Sequence, residues 1–358
     1  MHRIAVVGLG AVTRNIHLPA YTLIRDRLDV VAGCDPNPDA RAAAIKIFPQ
    51  VYQDAEEMIK AESPDIVAVC TPPRFHRDHC LMALAYGCHV FCEKPMALNL
   101  AESNEIVSTS RNAGLHVVIN SQFPYMRTYQ AAKAMLGTPL FGDLQFMHAW
   151  QHFRRTEHTE EGWRGKMERR LCFEFGVHVF ELARFFFDSN PSKIFAHMPN
   201  RFGEAPSDVV NTIALEFPDG RGAAIVLDRL SQGPHRYLEL SLDGETGSIH
   251  TSIGGDLRFE MGIRTSDRRP FAAWHFVKGG QAVLHRDGRS RILAKEGLNP
   301  FATATSAHLA QFLDALHSGV EPRATAKDNR ITLSLALAAY ESAATGRVVD
   351  MEAFAAET

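Results

Sequence analysis

The chain has 358 residues, 46% of them hydrophobic and 22% charged, more than one hydrophobic core usually supports, so two domains are expected. Lys and Arg number 38 against 41 Asp and Glu, a net charge of -3, which excludes a general affinity for nucleic acid or anionic lipid. No apolar stretch approaches the ~20 residues of a membrane span.

Five short apolar runs open the chain, each ending in turn residues. Ile4 to Val7 ends at Gly8, and Leu28 to Gly33 ends at Cys34-Asp35. Ile66 to Cys70 ends at Thr71-Pro72-Pro73, His89 to Cys92 at Glu93-Lys94-Pro95, and Val117 to Ile119 at Asn120. Continuous apolar strands bounded by turns belong in a parallel sheet covered on both faces. Helical segments lie between them, His79 to Tyr86 and Leu100 to Asn112, stopped by Gly87 and Gly114. The alternation predicts an α/β domain with a doubly wound parallel sheet over residues 1–121.

From about Pro139 the pattern changes. Leu144 to Trp150, Asn211 to Phe217, Ala223 to Leu230 and Tyr237 to Leu242 read as strands, with Ser248 to Ile253, Leu257 to Ile263 and Ala282 to His285 after them. Leu238, Leu240 and Leu242 alternate with polar neighbours, as in a half-buried antiparallel sheet. One helix is read around Phe175 to Phe186, and two close the chain, Thr303 to Ser318 and Ala326 to Thr345. Residues 122–358 therefore read as a second, α+β domain with a large, mostly antiparallel open sheet. The evenly apolar run Ala223 to Leu227 would leave both sheet faces apolar, which predicts a homo-oligomer, dimer or tetramer, formed through the open face.

The 6 cysteines, Cys34, Cys70, Cys80, Cys88, Cys92 and Cys172, form no C-x-x-C pair. Several sit in apolar runs, which fits free core thiols and a reducing cytoplasm. No group of ligands with metal spacing is recognised, so no metal is expected.

Four stretches carry chemistry. In the first, Gly8-Leu9-Gly10-Ala11-Val12-Thr13 follows a strand and opens a helix. Gly8 permits the tight turn, Gly10 lets backbone N–H groups approach a pyrophosphate, and the helix N-terminus adds its dipole. Thr13 replaces the third glycine. A plain strand–turn–helix corner would read the same way. Asp35, ending the second strand, is placed to accept from a ribose diol, or else to cap the next helix. No cation follows it before Arg41, so NAD is expected rather than NADP. The second and third stretches, Thr71-Pro72-Pro73-Arg74-Phe75-His76 and Glu93-Lys94-Pro95, both fall on the carboxyl edge of the sheet, where ligands bind. A lysine there can stabilise a developing alkoxide; a surface lysine in a turn is the alternative. In the fourth, Glu174-Phe175-Gly176-Val177-His178, a spacing of four puts carboxylate and imidazole on one helix face. Glu174 could then orient and charge His178, or the two could be a capping pair and a core histidine.

Together these stretches resemble the Gfo/Idh/MocA family of nicotinamide-dependent oxidoreductases, named for glucose–fructose oxidoreductase and inositol dehydrogenase. The segment TPPRFHRDHCLMALAYGCHVFCEKPMALN, Thr71 to Asn99, is similar to the family's T-P-x-x-x-H, A-x-x-x-G-x-H-V and E-K-P motifs. EFGVHVFEL is similar to its D-x-G-x-H motif, and the closing helices resemble the family's own. The resemblance implies NAD held by Gly8, Gly10, Ala11, Val12, Thr13 and Asp35, with Thr71, Pro72, His76, Glu93, Lys94 and Asn120 beside the nicotinamide half. It implies Lys94, His178 and Glu174 as catalytic residues. Trp163-Arg164 matches a pair in the substrate domain, and Arg169 and Arg170 stand where the family has glycines. There they could read an acidic or phosphorylated sugar, or be a solvated loop pair. The implied activity is hydride transfer between a sugar-like or cyclitol-like polyol and NAD. The alternatives are redox-neutral, NAD-dependent glycoside cleavage and a dinucleotide-binding regulator without turnover. Glu174 departs from the usual Asp by one methylene.

Overall fold

The computed structural model describes all residues except 153, 155–161, 200–206, 233–235, 254–256, 264–269, 277–279 and 358. Its first sheet has six parallel strands: β1 (His2–Val7), β2 (Leu28–Cys34), β3 (Val51–Tyr52), β4 (Ile66–Val69), β5 (His89–Cys92) and β6 (Val117–Ile119). Their spatial order is β3-β2-β1-β4-β5-β6. In that order the winding reverses between β1 and β4, so the binding crevice opens at the carboxyl ends of those strands. The connecting helices are α1 (Leu18–Leu23), α2 (Pro38–Ala44), α3 (Ala55–Glu62), α4 (His76–Ala85) and α5 (Leu100–Ala113). Asn37, Asp54 and Asn99 cap α2, α3 and α5, each accepting from a backbone N–H of the first turn. Ile66 to Val69 is fully buried, as a strand covered on both faces requires.

The second domain contains α6 (Arg127–Lys133), β7 (Leu144–His152), α7 (Val177–Phe187), β8 (Lys193–His197), β9 (Val210–Glu216), β10 (Gly222–Asp228), β11 (Arg236–Gly244) and β12 (Ser248–Ile253). It continues with β13 (Leu257–Ile263), β14 (Pro270–Phe276), β15 (Gln281–Arg286), β16 (Arg289–Lys295), α8 (Pro300–Ser318), α9 (Ala326–Thr345), β17 (Val349–Asp350) and α10 (Met351–Glu357). Nine strands form one sheet in the order β16-β15-β12-β11-β7-β10-β9-β8-β17, antiparallel except between β7 and β10. β13 and β14 pair separately as a hairpin. One face of the large sheet, with Met147, Ala149, Ile213, Ile225 and Leu240, packs under Val179, Phe180 and Phe186 of α7.

The closing helices return to the first sheet. Leu309, Phe312 and Leu313 of α8 join the core on one of its faces, with Ile4, Ile66 and Phe91. Ala326, Leu333 and Leu337 of α9 join the other, with Val67, Val90 and Cys92. The two domains are thus clasped by the chain's own C-terminal part.

Candidate active site

The glycine turn and β2 form one end of the crevice. Gly8 has φ +95, and a Cβ there would lie 2.8 Å from the Cys70 carbonyl, so the turn requires glycine. No atom lies within 4 Å of a Cβ built on Gly10, which leaves room above the turn. Ala11 is exposed and Val12 half-buried beside it. Thr13 is buried, and its Oγ1 donates to the Gly8 carbonyl at 2.5 Å. The hydroxyl thus fastens the turn where the third glycine would have stood, and Thr13–His17 continues as a π-turn into α1. Asp35 Oδ2 accepts from Leu9 N at 2.9 Å and Oδ1 from Asn37 N at 2.8 Å. Each oxygen keeps a second lone pair for a ribose hydroxyl. The cap of α2 is Asn37, not Asp35. An open, amide-lined turn beside a carboxylate fits the pyrophosphate and adenosine ribose of a dinucleotide.

At the other end, Glu93, Lys94 and Asn120 follow β5 and β6. Glu93 Oε1 accepts from Asn120 Nδ2 at 2.8 Å and lies 2.7 Å from His17 Nε2, all three side chains buried. Burial would raise the Glu93 carboxyl; His17, Lys94 and Asn120 outweigh it and hold it down at about 2. Asn120 Oδ1 is buried without a partner among the described residues. Lys94 Nζ donates to the Glu174 carbonyl at 2.9 Å and lies 5.6 Å from the Phe175 ring. Burial pulls the Lys94 ammonium below its ordinary value, partly offset by the charges of Glu174 and Glu93. Both His76 ring nitrogens meet carbonyls, Thr71 at 2.7 Å and Pro95 at 2.8 Å. His76 therefore ties the loop that carries Thr71 and Pro72 to the Lys94-Pro95 turn, rather than offering a nitrogen to a ligand.

The second domain supplies the facing side. Its helix begins earlier than the sequence suggests, with a π-turn over Cys172–Gly176 ahead of α7. That wider turn changes which groups meet. The Glu174 carboxylate turns to Arg164, Oε1 accepting from Nε at 2.5 Å, with Arg170 Nε 3.9 Å from Oε2. Among the described residues nothing hydrogen-bonds His178; its ring stacks on Phe123 at 4.0 Å with an interplanar angle of 3°. The expectation that Glu174 orients His178 is corrected accordingly: one spacing of four in an α-helix would join them, but a π-turn intervenes. Burial, and after it the charge of Lys94, push the His178 imidazole well below its ordinary value. Arg164 packs on Trp163 at 4.4 Å. Arg170 is buried toward Glu174, whereas Arg169 lies over the Tyr340 ring at 5.6 Å, so the two do not act as one anion-reading pair.

Three residues here have no motif in the sequence. His17 pairs with Glu93 from 76 positions away. Phe123 holds the His178 ring, and Tyr237 packs on Phe123 and Phe301 at 6.2 and 5.1 Å. Burial first, and then the charges of Glu174 and Glu93, raise the Tyr237 hydroxyl above its ordinary value. A cavity of about 490 Å³ lies elsewhere, between α7 and the start of α9, and its Arg184 is already paired with Glu181 and Asp328. Among the described residues no three metal-binding side chains converge, and no helix is long and apolar enough to cross a membrane.

Two family models match the chain. Residues 2–121 match an oxidoreductase family with an NAD-binding Rossmann fold, and residues 129–250 match the GFO/IDH/MocA C-terminal domain. The chain is 27% identical to D-apiose dehydrogenase of Paraburkholderia graminis, over 99% of this chain and 90% of that one. It is 23% identical to inositol 2-dehydrogenase of Pseudomonas fluorescens, over 97% and 96%. A crystal structure of an oxidoreductase from Agrobacterium radiobacter with NAD+, L-tartaric acid and magnesium shares the fold, with a TM-score of 0.83 at 22% identity, covering 98% of this chain and 99% of that one.

Proposed function

The chain belongs to the Gfo/Idh/MocA oxidoreductase family, and from that premise we propose that it oxidises a hydroxyl-bearing carbon of a sugar-like or cyclitol-like polyol, using NAD. The observation that carries this reading is the Lys94 ammonium, held at the carboxyl edge of the first sheet by the carbonyl of Glu174, whose π-turn runs directly into the helix that carries His178. Bound NAD supplies the acceptor for the hydride leaving the substrate carbon. Lys94 donates a hydrogen bond to the substrate oxygen and stabilises its developing charge. Neutral His178 accepts the hydroxyl proton, and Phe123 keeps the ring in one plane. Arg164, half exposed and steadied by Glu174 and Trp163, faces the substrate's further hydroxyls. Residues 1–121 serve as the cofactor unit and 122–358 as the substrate unit. Six free, buried thiols suit a reducing cytoplasm. Further copies of the chain cover the open face of the large sheet.

The test is NADH absorbance with D-apiose, inositols, glucosides and uronates. NADH formed in proportion to a free polyol supports the reading. Cleavage of a glucoside without net NADH, or NAD binding with no turnover on any of these, overturns it.

A further inference from the structure

A helix leaves its first four N–H groups without intrahelical acceptors, and a local Ser, Thr, Asp or Asn usually answers them. The helix that carries His178 has Arg169 and Arg170 at that point, and neither side chain can accept a hydrogen bond. Its acceptors come from elsewhere. Asp208, 38 positions downstream in the loop before β9, accepts from Arg170 N at 2.8 Å and Leu171 N at 3.1 Å through Oδ1, and from Cys172 N at 2.9 Å through Oδ2. The Tyr340 hydroxyl of α9 accepts from Phe173 N at 3.2 Å and donates to Asp208 Oδ1 at 3.0 Å. Four consecutive N–H groups are thus satisfied by two side chains. Glu174 N then makes the next bond, to the Arg170 carbonyl at 2.6 Å.

The chain passes from these N–H groups into the π-turn over Cys172–Gly176, whose start determines where two groups fall. One is the Glu174 carbonyl that accepts from Lys94 Nζ. The other is the His178 ring on Phe123. α9 in turn packs on the first sheet, the sheet that carries Lys94. We propose that Asp208 and Tyr340 are positioning residues for the reaction, fixing the start of this turn so that the Glu174 carbonyl meets Lys94 and His178 faces the same point. The inference rests on the proposed polyol oxidation, in which Lys94 and His178 handle the proton. The negative charge of Asp208 at the turn's N-terminus adds a favourable interaction with the helix dipole. Because Tyr340 sits on α9, the turn is set relative to both domains.

The test reads Lys94 directly. The full chain, without NAD, is acetylated with acetic anhydride near neutral pH, and the Lys94 and Lys60 peptides are quantified by mass spectrometry. Without its carbonyl acceptor the Lys94 ammonium loses its proton more readily and is freer to react. Asp208→Asn and Tyr340→Phe are expected to speed Lys94 acetylation by about 3-fold or more, the effect of half a pKa unit, with exposed Lys60 unchanged. If Lys94 reacts at the parent rate in folded variants, or Lys60 rises in step, Asp208 and Tyr340 only stabilise the fold and the proposal is overturned. Should Asp208→Asn fail to fold, Tyr340→Phe, which removes one oxygen, still decides. Labelling needs no turnover, so its outcome is separate from that of Lys94→Ala on NADH formation, which tests the underlying reading.

Discussion

His17 Nε2 lies 2.7 Å from Glu93 Oε1 with His17 fully buried, and the opposite ring nitrogen, Nδ1, lies 2.9 Å from the Tyr21 hydroxyl. Burial alone would lower the imidazole's affinity for a proton; Cys70, Tyr21 and Glu93 outweigh it and hold it well above its ordinary value. With Glu93 held at about 2, the two form an ion pair over the neutral range. Removing one partner strands the other charge, which costs about 3–5 kcal/mol. Glu93→Gln and His17→Phe should each lose stability on that scale in urea. The signs with pH differ. The contribution of Glu93 is full above 4.5 and is lost as pH falls toward about 2. That of His17 is full below 6.5 and is lost as pH rises through its raised value. Variants as stable as the parent at neutral pH would show that the pair does not hold this end of the crevice.

Lys94→Ala is expected to lower kcat by about 100-fold or more while leaving NAD affinity unchanged. The ammonium meets the second domain at the Glu174 carbonyl, whereas the pyrophosphate turn lies at β1. Isothermal titration with NAD and steady-state NADH formation separate the two effects. Near-parent turnover would remove Lys94 from the mechanism.

His178 is expected to set the acid side of the pH–rate profile. Its proton affinity is pushed well below 6.5 by burial first and Lys94 second, so the ring is neutral at pH 7 and stays able to accept a proton. Turnover should be level from about 6.5 upward and fall only as the pH drops below that value. On the alkaline side the fall should begin below 10.5, because burial lowers Lys94. In the folded state His178 also resists protonation, so its share of stability is full above 6.5 and lost toward lower pH. An acid midpoint at or above neutrality, with chemistry limiting, would contradict this placement.

The sequence showed the first sheet well because continuous apolar runs such as Ile66 to Val69 have no other place to go. It showed less of the second. Arg289–Lys295 is an edge strand whose cations face solvent, so it carries no apolar pattern to read. Lys193–His197 alternates buried and exposed residues, but Phe195, apolar on the exposed face, hides the alternation in the sequence. At the site, Lys94 and His178 were legible as residues in a motif. Their geometry was not: a π-turn at Cys172–Gly176 leaves no mark in residue spacing, and it gave Glu174 to Arg164 instead of His178. His17 and Asp208 act across 76 and 38 positions, beyond any local pattern.

The open face of the nine-stranded sheet should carry the contacts of an oligomer. On it Phe195, Ala214, Ala224 and His148 lie side by side across four strands. Phe146 and Phe195 remain 36% and 41% exposed, and Trp150 stacks on His148 at 5.4 Å. β11 continues this face with Glu239, Ser241 and Asp243, so the apolar part is the patch over β8, β9, β10 and β7, and an exposed apolar patch of this kind is normally covered. Light scattering should give a multiple of 39.7 kDa, and Val226→Glu should shift it to the monomer without unfolding. A monomer from the parent chain at micromolar concentration would refute the assignment.

Asp35 should make the enzyme prefer NAD to NADP by at least about 10-fold in kcat/KM, equivalent to ~1.4 kcal/mol. Its carboxylate is fixed between Leu9 N and Asn37 N, where a 2′-phosphate would meet a negative charge. The first cation after β2, Arg41, does reach back, but its Nη1 donates to the Asp35 carbonyl at 2.9 Å and the Pro36 carbonyl at 2.8 Å. Arg41 thus braces the strand end, and the Asp35 carboxylate is the group expected to select the cofactor. The two effects separate by mutation. Asp35→Ser removes the repulsion and leaves the Arg41 guanidinium beside the ribose site, so the preference for NAD should shrink toward parity. Adding Arg41→Ala to that variant should cost NADP more than NAD, because only the phosphate gains from the cation. Arg41→Ala alone should leave the preference for NAD in place. Measurement of kcat/KM with both cofactors on one polyol checks each step, and a parent chain that uses NADP as well as NAD would overturn this role for Asp35.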